Sequence, residues 1–158
     1  MRPRRGAVVA EHGPELVFEM FEVMAELEAM AGGVAARRHG ESDKAAILAA
    51  VEQCQHAAEK NGTDQYYYEN GIFHRAIYTA SHSGFLEEQC VALHRRLRPY
   101  RRLQLRVRNR MKVSLAEHCE IVDAITAGDA QKARLLFRDH IAAVQGNRFG
   151  DLLATLRP

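Results

Sequence analysis

Apolar residues recur in steps of three and four along almost the whole of this chain, a spacing that fits helices and leaves no room for a central sheet. Leu16, Met20, Val23/Met24, Leu27, Met30/Ala31 and Val34 predict a first helix over about 14–38, with Pro14 suited to its first turn. Gly32-Gly33 weakens that helix without ending it. A second helix, capped by Ser42 or Asp43, carries Ile47, Leu48, Val51 and Cys54 to about Lys60, where Asn61-Gly62 stops it. Thr63 caps a third, whose inner face holds Tyr67, Asn70, His74 and Tyr78; Ser81-His82-Ser83-Gly84 is the next break. The fourth runs from about Phe85 to Met111 with a seam of Leu93, Leu97, Tyr100, Gln104, Val107 and Met111. Its Pro99 predicts a kink, and Gln104, polar on an apolar seam, suggests a cavity. Ser114 or a neighbour caps a fifth helix that stops at Ala127-Gly128, and Asp129 caps a sixth running to about Leu156. The expected fold is all-α, an antiparallel bundle of about six helices.

At 158 residues the chain fits one domain with one core. No apolar run approaches the roughly 20 residues that cross a bilayer, and Met1-Arg2-Pro3-Arg4-Arg5 leads into no signal-type apolar stretch, so a cytoplasmic protein with no membrane partner is expected. Cys54, Cys90 and Cys119 are odd in number and unpaired in spacing, which argues against a disulfide frame or a cysteine zinc site. Residues 1–12 read differently from the rest, a basic turn and a short β-type run before His12-Gly13-Pro14.

The chemistry concentrates on three histidines. Asn70 and His74, four apart, share one helix face, and His118 and His140 sit on apolar faces of the fifth and sixth helices. Any one of them alone is an ordinary hydrogen-bonded core residue, but an i, i+4 pair completed from other helices is how bundles build metal sites. Three imidazoles and an amide oxygen suit a borderline divalent metal. The other histidines, His12, His39, His56, His82 and His94, lie in breaker regions or off the main stripes, as surface residues do. Helical phase also brings Tyr78, Gln104 and Asn147 towards such a site as donors for an effector; Arg101 and Arg102, beside Pro99, wind off the seam and rank behind them.

Between Gln89 and Ala116 there are nine Arg and Lys and no acidic residue, while the rest of the chain carries 13 basic against 20 acidic residues. That basic helix is either a solvated or partner-facing surface or the footprint of a nucleic-acid-binding module. No aromatic residues are interleaved on its basic side, which favours the former.

Asn70-x-x-x-His74, Glu117-His118-x-x-Ile121 and His140-Ile141, with Phe21–Glu28, Phe73–Ile77 and Ala124–Ala130, resemble the effector-binding FCD domain of FadR-type GntR transcription regulators. The resemblance covers about residues 14–156, and six helices place it nearer the VanR-like branch than the seven-helix FadR branch. It implies that residues 13–158 form a non-enzymatic, homodimeric sensor domain. Such a domain binds a small organic acid beside a divalent metal, zinc or else nickel or another transition metal, held by Asn70, His74, His118 and His140. It implies also that residues 1–12 are the remnant of the wing and linker of an N-terminal winged helix-turn-helix domain, through which alone operator DNA would be bound. Two departures stand out. The family usually has Asp where this chain has Asn70, which removes a negative charge from the metal ligands, and commonly has Arg where this chain has Met24. The rival reading is a small helical metalloenzyme using the same histidines. Glu117 and Asp139, each adjoining a ligand in sequence, are expected to point away from the site and so to supply no general base.

Overall fold

The computed structural model describes residues 12–143 and Gly150. Among them six helices follow one another: α1 (Pro14–Arg38), α2 (Glu41–Glu59), α3 (Thr63–Ala80), α4 (Gly84–Gln104), α5 (Arg110–Thr126) and α6 (Ala130–Ala142), with no strand between them. The expected all-α bundle is the observed one. Val144, Asn147 and Leu156, assigned from sequence to the last helix, lie outside the described residues, as does the segment 1–11.

Local chemistry sets some helix ends, but Thr63, expected to cap α3, is its first helical residue, and Gly62 stands at the cap without a side-chain bond. Asp129 caps α6 by accepting from the Lys132 N–H, and the Asp43 carboxylate accepts from the Gly40 N–H at 2.8 Å, so that Gly40, one turn earlier than expected, is the N-cap of α2. Asn61 takes φ 54° in the left-handed region that Asn tolerates, closing α2.

α1 is the organising helix: it lies along α6 and also touches α3, α4 and α5. Its close approach to α6 explains the glycine pair, because a Cβ on Gly32 would stand 2.9 Å from Phe137 Cδ2 and one on Gly33 2.4 Å from Arg134 Cγ. Phe21, Met24, Tyr66, Phe73, Ile77, Leu97, Ile121, Ile125 and Phe137 are fully buried at the centre. Each such side chain contributes roughly 1.5–3 kcal/mol by leaving water.

Two phases differ from the sequence expectation. On α1 the buried stripe is Val17, Phe21, Met24 and Glu28, whereas Leu16, Val23 and Met30 are about half exposed. In the Tyr66-Tyr67-Tyr68 run of α3 the inward tyrosine is Tyr66, not Tyr67, which is half-buried. The largest correction concerns the basic helix. It does not run to Met111: α4 passes through Pro99 and ends at Gln104, Asn109 turns with φ 63°, and α5 begins at Arg110, four residues before the expected cap at Ser114. Breaking there rotates Arg110 inward, and Arg101 is buried as well, so two of the nine basic residues serve the interior rather than the surface.

Candidate metal and effector site

His74 on α3, His118 on α5 and His140 on α6 meet in the core, all three buried. Their ring centroids lie 5.4 Å (His74 to His118), 5.3 Å (His74 to His140) and 4.8 Å (His118 to His140) apart. One nitrogen from each falls within 4.8 Å of the others. Ligands on a tetrahedral zinc at 2.0–2.1 Å would lie about 3.4 Å apart, so a modest convergence of side chains separates this cluster from a coordinating one.

Two of the imidazoles are oriented by carboxylates. His74 Nδ1 donates to Glu28 Oε1 at 2.7 Å, and His140 Nδ1 donates to Glu117 Oε2 at 2.5 Å, which turns the Nε2 lone pair of each ring away from its carboxylate; that of His74 accepts from Arg101 at 3.2 Å. Glu117 therefore points at His140, one of the three clustered histidines, contrary to the expectation from helix winding. The reason is that the pair is formed between α5 and α6, so adjacency to His118 on its own helix does not restrict it. Glu117 also accepts a bidentate fork from Arg110, at 3.1 and 2.8 Å. Burial works against its charge, but the bonds from His140 and Arg110 outweigh burial and hold the carboxyl below its usual range, which suits an orienting anion rather than a general base.

His118 differs from its neighbours. It is stacked 4.1 Å from the Phe73 ring and parallel to Tyr66, and both its nitrogens are buried without a hydrogen-bond partner. An unpartnered buried polar group costs about 1–3 kcal/mol, and the missing partner is of the kind a metal ion supplies. The donor set thus fits a divalent cation: two carboxylate-backed imidazoles and a third whose nitrogens nothing else satisfies. Asn70, one turn before His74, is buried on the same helix.

Of the effector residues expected from sequence, two reach the cluster. Tyr78 donates to Glu28, and Arg101 reaches Glu28 Oε2 at 3.4 Å and His74 Nε2 at 3.2 Å. Arg101 is expected behind the seam residues on winding, yet it lies one turn beyond the buried Leu97 and is buried with it, whereas Arg102 stays outside, ion-paired at 2.7 Å to the exposed Asp64. Gln104 is buried and accepts from Arg110 Nε at 3.3 Å, so its partner is the cation that clamps Glu117. Asn147 lies outside the described residues.

Sequence reasoning missed Glu28, Arg110 and His94. Glu28 had a signal: it follows Val17, Phe21 and Met24 in steps of four, three and four, a carboxylate at an apolar position. Arg110 had none, since its burial depends on where α4 stops. His94, expected on the surface, is largely covered, with Nδ1 3.4 Å from the Tyr78 hydroxyl and its ring 6.0 Å from that of His74.

The FCD domain family matches residues 19–143 of this chain. The chain belongs to the FCD family. The FCD domain is the regulatory, non-enzymatic, effector-binding part of GntR-type transcription regulators. Among solved structures the chain is similar to McbR/YncC of E. coli, at TM-score 0.76 and 23% identity over 90% of this chain and 66% of that one, a likeness of fold. No curated protein matches the sequence. No described helix of this FCD domain is long and apolar enough to cross a membrane.

Burial pushes His74, His118 and His140 below the ordinary imidazole range, with Arg101, His140 and Arg110 respectively among the further influences, and takes His94 down to about 2. These histidines refuse protons that the unfolded chain accepts near pH 6.5, so the stability they allow is present above that pH and lost below it. In chelated protein the free energy of unfolding is expected to fall steadily between about pH 7 and about pH 5, measured by urea denaturation. A flat profile across that window would show that the four rings take up protons without cost.

Proposed function

We propose that this FCD domain senses a small carboxylate beside a divalent metal, held by His74, His118 and His140 with Asn70 as a weak fourth ligand. The observation that carries this reading is His118, whose two buried nitrogens are unsatisfied between two histidines already oriented by Glu28 and Glu117. When bound, the metal would supply a positive charge with an open position for a carboxylate oxygen. Zinc is the first candidate, with nickel or another transition metal as alternatives, because imidazole ligands suit them all.

The remaining work belongs to the chain's own residues. Glu28 and Glu117 fix the tautomers of His74 and His140. Arg101 now shares the Nε2 of His74 and pairs with Glu28, so a bound carboxylate has a guanidinium within reach, and Tyr78 supplies a hydroxyl. Because Arg101 lies on α4 and Glu28 on α1, an anion that draws Arg101 from Glu28 favours one arrangement of the two helices over another. In a homodimer that shift would alter the spacing of winged-helix domains preceding residue 13, which alone would contact operator DNA.

Elemental analysis of the purified chain, followed by calorimetric titration of hydroxy acids, keto acids and neutral sugars into metal-loaded protein, tests the reading. Stoichiometric metal and micromolar-range binding of an acid are expected, with weaker binding for acids that lack a matching hydroxyl. Tight binding of a neutral sugar with no response to any acid would overturn the carboxylate assignment; protein that takes up no metal under saturating zinc or nickel would overturn the site.

A further inference from the structure

Outside the histidine cluster, α3 and α4 part to form a cavity of about 510 Å³, in the size range of small-ligand pockets. Its rim carries Arg75, Arg95, Arg98 and Arg102, and no acidic side chain lines it. Arg102 is ion-paired with Asp64 and lies 5.7 Å over the Tyr67 ring, whereas Arg75, Arg95 and Arg98 make no hydrogen bond or ion pair with described residues. Unpaired guanidinium groups gathered at a concave site with low-dielectric walls make a focused positive field, and their planar forks match carboxylates bidentately.

The walls are apolar and aromatic. Tyr67 and Tyr68 come from α3, Ile72 lies a turn along, and Val91 faces them from α4. Tyr68 is 63% and Ile72 42% exposed, although both line a cavity whose burial would favour them. Gly71 keeps the space open: a Cβ there would meet nothing nearer than His94 Nε2 at 4.0 Å. At the back stand His94 and Tyr78, and Tyr78 also donates to Glu28, so this cavity and the histidine cluster share that side chain.

We propose that this outer cleft is a second binding site, separate from the metal centre, for a planar aromatic dicarboxylate. Its ring lies against Tyr67, Tyr68 and Ile72, and its carboxylates take the forks of Arg75, Arg95 and Arg98. The inference does not depend on a metal being bound.

Isophthalate is the probe, titrated calorimetrically into the full 158-residue chain after chelation. One-to-one binding is expected, with isophthalamide, the neutral analogue, bound at least about tenfold more weakly because charge-assisted bonds are lost. The doubly exposed variant Arg75→Gln/Arg98→Gln should fold normally and weaken isophthalate by about tenfold or more. Gly71→Leu leaves every charge in place and narrows the cleft beside His94; it should weaken binding at least about tenfold, which separates occupancy of the cavity from a general attraction of anions to the basic helix. Absence of isophthalate binding, equal affinity in Gly71→Leu, or binding that requires metal would each overturn the proposal. So would displacement by a short DNA duplex of arbitrary sequence at physiological salt, the outcome expected of a phosphate-backbone surface.

Discussion

Glu28→Gln is expected to destabilise the fold by about 3–5 kcal/mol, the cost of leaving one member of a buried ionic network without its counter-charge. The Glu28 side chain on α1 is wholly buried and gathers donors from two other helices, the His74 ring and the Tyr78 hydroxyl from α3 and the Arg101 guanidinium from α4. An amide offers one acceptor oxygen in place of two and turns an NH₂ group towards donors, so at least one buried donor is stranded and Arg101 is left as an uncompensated charge. The double variant Glu28→Gln/Arg101→Met should recover much of the loss, since replacing a buried pair outright is far cheaper than halving it. Urea denaturation of the three proteins decides the matter. A loss below about 1 kcal/mol in Glu28→Gln would mean that the carboxylate does not hold the three helices together.

For His118 the expected sign is reversed. In metal-free protein His118→Leu should be stabilising by about 1 kcal/mol or more, because a leucine fills the gap between Phe73 and Tyr66 without burying two unsatisfied nitrogens. With zinc or nickel at a hundred times its dissociation constant, the parent chain should gain about 2.7 kcal/mol and the variant essentially nothing. The two effects oppose each other, so the ranking of the proteins should invert when metal is added. A polar group kept in the core at a cost to stability is the signature of a ligand, and a merely structural histidine would not show the inversion. If His118→Leu destabilises the chelated protein and retains the full metal response, the three-histidine site is wrong.

The helices and the histidines were legible because both are written in local spacing. Steps of three and four placed α1 within a residue of its observed limits, and the same arithmetic put His74, His118 and His140 on inward faces, since an apolar stripe turns inward whatever it meets there. Asn70 shares the inward face for the same reason. The phase of α1 was less secure. Leu16, Val23 and Met30 form a competing stripe seven residues apart, and spacing alone does not choose between it and the buried stripe of Val17, Phe21, Met24 and Glu28, which packing against the other helices selects.

What the sequence by itself determined, then, is an all-helical chain with three imidazoles turned to its core and its basic charge concentrated on one segment. The partners of those imidazoles were decided only in three dimensions. Glu28 reaches His74 across 46 positions of the chain, Glu117 reaches His140 across 23, and Arg110 joins them because the backbone turns at Asn109. Spacing along one helix reports which residues share a face, but not which residue of another helix stands opposite. That depends on where helices end and how closely glycines such as Gly32 and Gly33 let them approach, and so the carboxylates and guanidinium groups around the histidines became visible only once the bundle was assembled.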